Sequence, residues 1–270
     1  MDAVTRTTPE QTVGESRVFD RIVVGVDGTA PGLDACRQAL RLAAPTAEIE
    51  LVSAVYLVEA VLAGWSAVRI AEELEREAGA ALREAEVLAG GRASVRLVNG
   101  PPARVLLHAV EQRRATLLAV GTHGHSRASE ILIGGVAGEM LHDAPCSVLV
   151  ARPAPQPDAF PASIAVGVDG SPESEAALVA ATALRRRFDA TLRVLVALRG
   201  KHVDHARVQR RVPLVELADE HPVAALVRAS EHADLVVVGS RGLHGIAALG
   251  SVSERVAHRA RSSVLVVRPA

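Results

Sequence analysis

"VVVGSRGLHGIAALGSVSERVAH", residues 236–258, decides how this chain is read. Valines running straight into a glycine read as a strand covered on both faces, because an unalternated apolar run needs packing above and below. Glycines follow at 239, 242, 245 and 250, and a Gly-Ser pair then stands ahead of a helix-period pattern. Glycine lets backbone come close to another group. A helix start beyond such a turn offers unpaired N–H groups to an anion. Strand, glycine turn and helix together point to phosphate.

The stretch is a second copy. "LLAVGTHGHS" from Leu117 returns as "VVVGSRGLHG" from Val236, "RIVVGVDGTAPGLDA" from Arg21 as "SIAVGVDGSPESEAA" from Ser163, and "APCSVLVARP" as "ARSSVLVVRP". Three blocks in the same order mark an internal duplication. In the first copy, strands are expected near 21–26, 48–56, 93–98, 116–121 and 147–151, and helices near 32–44, 66–89, 102–114 and 135–143. Apolar strands alternating with helices give an α/β chain with doubly wound parallel sheets in tandem. Residues 1–17 read as a flexible tail, 18–153 as the first domain, 154–161 within a proline-rich stretch as the linker, and 162–270 as a truncated second domain.

Spacing between copies locates the truncation. Asp27 maps to Asp169, 142 residues on, but Gly121 maps to Gly239, only 118 residues on. The second copy has lost the long helix of 64–90 and carries "GKHVDHARVQRR" (200–211) in its place. That loss should leave an apolar sheet face bare, for the linker or a second chain to cover, so a homodimer is expected to be open to it.

Composition narrows the classes. A formal net charge of −1 provides no field to draw nucleic acid or an anionic membrane. The "RRR" at 185–187 reads as a solvated helix face. No apolar stretch approaches the roughly 20 residues of a membrane span, and the N-terminus has no secretory pattern, so the expected location is cytoplasmic. Cys36 and Cys146 are too few for a disulfide framework and read as small buried hydrophobes. There is no nucleophile elbow, no P-loop and no HExxH pattern. His123 and His125 map to Arg241 and Leu243, so the copies do not share an imidazole. The chain reads as a binder with no catalytic residue and no metal set.

Two features repeat at strand ends: Asp27 and Asp169 after the first strand, and the glycine turns after the fourth. Each has a bland reading, since Asp and Thr29 or Ser171 can cap the helix that follows. Their recurrence in register favours a ligand at the carboxyl ends of the strands. On these residues the chain resembles a tandem universal stress protein, from residue 19 to the end. The resemblance rests on a glycine signature: Gly, two residues, Gly, nine residues, then Gly with Ser or Thr. Gly121, Gly124 and Gly134 keep that spacing, but Gly135 stands at the hydroxyl position. Gly239, Gly242, Gly250 and Ser251 keep the residue types, with seven residues in place of nine.

The resemblance implies a Rossmann-like fold and an adenine nucleotide, ATP with or without Mg2+, as ligand. It places Asp27 and Asp169 beside the ribose and the backbone of Ala54 and Ala197 at adenine. The phosphates would lie against Thr122, His125, Gly134, Gly135 and Val136 in the first half, and Arg241, Gly250, Ser251 and Val252 in the second. Gly25 and Gly167 end the first strands beneath these sites. The first half is the stronger candidate. The alternative is a nucleotide-free module acting through protein contacts.

Overall fold

A computed structural model of the chain describes residues 19–56, 65–122, 133–199, 215–240 and 252–269. The first half runs β1 (Arg21–Gly25), α1 (Ala30–Leu42), β2 (Glu48–Val55), α2 (Trp65–Ala89), β3 (Ala93–Asn99), α3 (Pro102–Arg113), β4 (Leu117–Gly121), α4 (Gly135–Asp143) and β5 (Ser147–Ala151). The second runs β6 (Ser163–Gly167), α5 (Pro172–Phe188), β7 (Thr191–Ala197), β8 (Glu216–Ala218), α6 (Pro222–Ala229), β9 (Leu235–Gly239), α7 (Val252–Arg259) and β10 (Ser263–Val267). Between β7 and β8, residues 200–214 lie outside the described residues, as does the tail expected at 1–17.

The strands form one sheet in the order β3-β2-β1-β4-β5-β10-β9-β6-β7-β8. Pairing within each half is parallel. The halves meet where β5 and β10 run antiparallel, with Val148 opposite Val266, Leu149 opposite Leu265 and Val150 opposite Val264. The last strand of each copy is thus an inner strand of a shared sheet, and its backbone groups are paired on both sides.

Strand alternation sorts side chains onto two faces. Ile22, Leu51, Leu117, Leu149, Ile164, Leu235 and Leu265 face α1, α2 and α5. Val23, Val52, Leu118, Val148, Val236 and Val264 face α3, α4, α6 and α7. Each core runs across both halves. Many of the helix residues that meet the sheet are alanines, such as Ala35, Ala39 and Ala85 of α1 and α2, beside larger ones such as Leu33, Leu42 and Leu82.

Two expectations are met in part. The sheet face beside the shortened segment is covered at β7, where Val194 and Val196 are buried, but Leu217 of β8, paired with Val196, is 49% exposed. Helix α5 packs over β6, β7 and β9 and supplies part of that cover. The 185–187 run is exposed, as expected, but Arg187 is also engaged. Arg187 donates to the carbonyl oxygens of Leu42 and Ala43, at 2.9 and 2.5 Å, and so caps the end of α1 in the other half. Arg41 returns the contact by donating to Phe160 O at 3.1 Å, and both guanidinium groups lie over the Phe188 ring. The last-turn carbonyls of a helix are left without intrahelical donors, which makes them natural guanidinium acceptors.

Leu265→Ala empties the centre of the shared sheet, where the side chain is fully buried. The expected cost is about 2–5 kcal/mol, with both halves melting in one shifted transition by calorimetry. Two separated transitions would show that the halves fold independently.

Candidate functional site

A cavity of about 340 Å³ opens at the carboxyl ends of the first-half strands. Gly25, Val26 and Asp27 follow β1, Val52 to Tyr56 end β2, and Val120, Gly121 and Thr122 end β4. The start of α4 closes one side through Gly134, Gly135, Val136 and Ala137. Helix α2 supplies Leu74, Glu77 and Ala78, and α3 supplies Pro102 and Leu106. The cavity sits beside β1 and β4, where the winding of the sheet reverses, as expected for an open α/β sheet.

Eight of the residues singled out from sequence line it: Gly25, Asp27, Ala54, Gly121, Thr122, Gly134, Gly135 and Val136. Gly124 and His125 lie outside the described residues. The contribution of α2 was not read from sequence. The amphipathic pattern of 64–90 announces a helix, but not that Leu74 and Glu77 look onto the ends of β1 and β2.

The capping reading of Asp27 is realised. Its Oδ1 accepts from the Thr29 amide at 3.0 Å and the Thr29 hydroxyl at 2.6 Å, while Thr29 Oγ1 accepts from Gly32 N at 3.3 Å. The same carboxylate borders the cavity, so capping fixes its direction without removing it from the site. A Cβ on Gly32 would collide with that carboxylate oxygen. Gly121 serves a chain contact: a Cβ there would lie 2.6 Å from the Pro31 carbonyl carbon and 2.8 Å from Gly32 N. This glycine lets the end of β4 touch the start of α1, and Gly239 does the same against Glu173 and Ser174.

Helix α4 begins differently from α1 and α5. Thr29 and Ser171 cap those two with side-chain oxygens, whereas Gly134 caps α4 with none. Gly134 N donates to Thr122 O at 2.6 Å, which draws the helix start onto the end of β4. The first-turn amides of α4 lack intrahelical acceptors and border the cavity, and the helix dipole favours negative charge there. A Cβ on Gly135 would meet nothing within 4 Å.

In the second half, Asp169 Oδ1 accepts from Ser171 N at 3.0 Å. Burial raises its carboxyl, but hydrogen bonds from Ser171 and Ser174 outweigh that and hold it below the usual 3.8. Ala197 ends β7 opposite Ala218, Gly167 abuts Leu226, and Val252 opens α7. Arg241, Gly242, Gly250 and Ser251 lie outside the described residues. Cys36 and Cys146 are buried, and burial pushes both thiols up to about 11, which leaves them protonated and poor nucleophiles. Among the described residues no group of three His, Cys, Asp or Glu could hold a metal ion, and no helix is long and apolar enough to cross a membrane.

The sequence profile of the universal stress protein family matches residues 19–152 and 201–268. The chain belongs to the universal stress protein family. A universal stress protein of Mycobacterium tuberculosis is 32% identical, with 92% of this chain and 96% of the relative covered. One from Mycolicibacterium smegmatis is 29% identical over 92% of this chain and 97% of its own length. The crystal structure of a universal stress protein from Archaeoglobus fulgidus shares the fold with a TM-score of 0.74 at 20% identity, covering 93% of this chain and 97% of that one. The two family matches fit the tandem arrangement of the sheet, and the universal stress protein signature glycines at 121 and 239 occupy equivalent strand ends.

The glycines of this universal stress protein divide by role, which substitution separates. Gly121→Ala forces backbone apart at the β4–α1 contact and is expected to cost about 1–3 kcal/mol. Gly135→Ala enters open space and should be neutral or slightly stabilising through helix propensity. Urea midpoints of both variants check this, and equal effects would contradict the division.

Proposed function

We propose that the first half binds an adenine nucleotide, ATP in particular, and that the chain acts as a stress-response sensor or regulator. The observation that carries this reading is the α4 start, uncapped by a side chain and aimed at a cavity that Asp27 also borders. The volume of about 340 Å³ falls in the range of small-ligand sites. Apolar surface from Val52, Val55 and Leu106 suits a base, Asp27 suits ribose hydroxyls, and the amides of Gly135, Val136 and Ala137 suit phosphate. Asp27 and Glu77 are the carboxylates of the described lining. A magnesium ion would therefore be held mainly by the phosphates and water, as that ion prefers.

One site per chain is the stoichiometry this reading supports. The wall made by Leu74, Glu77 and Ala78 belongs to α2, the helix whose counterpart the second copy lacks. The described lining offers no acid–base pair poised on a substrate, which favours a binder over an enzyme. We assign the protein to the cytoplasm, with no nucleic-acid or membrane partner and with self-association left to the outer strands of the sheet. The second reading, an empty module acting through protein contacts, draws on Gly135, which gives an amide but no hydroxyl.

Calorimetry with Mg-ATP should give one site, lost in Asp27→Ala and kept in Asp169→Ala. Gly135→Ser, which has room for its side chain, should tighten binding about fivefold to tenfold by adding one hydrogen bond. Neither heat nor a thermal shift at millimolar ATP would defeat the nucleotide reading and leave the interaction module.

A further inference from the structure

Two arginines cross the junction between the halves in opposite directions. Arg152 follows β5 and Arg268 follows β10. The Arg152 amide donates to Ser263 Oγ at 2.9 Å, and its Nη2 donates to Ala257 O of α7 at 2.7 Å. The Arg268 amide donates to Ser147 Oγ at 3.2 Å, and its Nη2 donates to Leu141 O of α4 at 2.6 Å. Each group in one set stands 116 residues from its equivalent in the other, so the contacts form a reciprocal pair about the β5–β10 seam. Each half grips the last turn of the other half's final helix.

The two helices do not depend equally on that grip. Helix α4 reads GVAGEMLHD behind an N-cap glycine, and its Gly135 and Gly138 favour helix less than alanine would. Helix α7 reads VSERVAHR and contains no glycine. At nine residues, α4 spans only about 13 Å from the cavity to its last turn. A rigid element that short transmits a shift at one end to the other.

The grip also has a condition. Arg268 Nε and Nη1 are buried without a hydrogen-bond partner among the described residues, and burial lowers the affinity of this guanidinium for its proton. Asp143 and the carbonyl end of α4 favour the charge. A buried charge with so few acceptors is tolerable only while the end of α4 stays in place.

We propose that Arg268 is a positioning residue for the first-half ligand site: by holding the C-terminal end of α4, the second half sets where the N-terminal amides of that helix point. The proposal rests on the nucleotide reading of the cavity. It gives the truncated copy a role in binding without a ligand of its own.

Arg268→Met, Arg152→Met and the double variant Arg268→Met/Gly138→Ala separate positioning from general destabilisation. Two readouts are taken on the full chain: ATP affinity by calorimetry, and hydrogen exchange across residues 138–144. Arg268→Met should weaken ATP roughly tenfold, the scale of one charged helix contact, and speed exchange in α4. Arg152→Met, which loses the equivalent contact on α7, should leave both within about twofold of the parent. Gly138→Ala, whose Cβ meets open space away from the cavity lining, should restore most of the affinity lost with Arg268. Unchanged α4 exchange in folded Arg268→Met, equal weakening by Arg152→Met, or no rescue by Gly138→Ala would overturn the proposal. If the parent protein binds no ATP, the nucleotide reading fails, and the exchange comparison still decides whether Arg268 orders α4. Should Arg268→Met not fold, Arg268→Lys, which keeps the charge but loses the planar fork, is read in the same two ways.

Discussion

The antiparallel pairing of β5 with β10 is the constraint from which the rest of the architecture follows. Parallel strands feed helices onto both faces of each half, and such a sheet would end in an apolar strand with an unpaired edge. Pairing the two final strands removes both edges at once. It also makes each hydrophobic face continuous from the first half into the second. Arg187, Arg152 and Arg268 then reach carbonyl oxygens of the opposite half, and Arg41 reaches Phe160 in the linker. The halves share a core and a set of helix ends, and the result is one sheet of ten strands.

Duplication placed the same strand-end chemistry at both ends of that sheet, yet the copies do not build the same surroundings. Asp27 and Asp169 hold nearly the same position, each oriented by the hydroxyl residue two places on. The Asp27 carboxylate lies where a Cβ on Gly32 would fall, whereas the equivalent Ser174 accepts from the Asp169 amide through Oγ at 3.3 Å. In the first half α2 rises over the strand ends and gives the cavity a wall. In the second half Val194 and Val196 are covered while Leu217 beside them is exposed.

Much of this was legible in the sequence because it is local. Apolar runs ending in glycine mark β1, β4, β6 and β9, and the structure bounds β1 and β4 within a residue of the expected positions. The offsets between copies located the missing helix, since an internal repeat supplies its own reference. The cavity's strand-end residues were legible for the same reason. The rest depends on long-range placement. "ARP" and "VRP" look like strand tails, and nothing near Arg152 or Arg268 announces a helix end more than a hundred residues away. Arg187 read as a solvated residue because its acceptors, Leu42 and Ala43, lie in the other half. The glycines were read as room for a ligand, but at 121 and 239 the close approach is made by the chain itself.

The central claim is that one cavity, walled by α2 and opened toward the start of α4, takes the nucleotide. Hydrogen exchange of the intact chain with and without saturating Mg-ATP tests it most directly, because the footprint locates the ligand without any substitution. Slowed exchange at 135–137, together with 74–78 of α2, and no change at 252–254 of α7 is the expected result. Protection at the start of α7 with none at α4 would place the ligand in the wrong half and contradict the account.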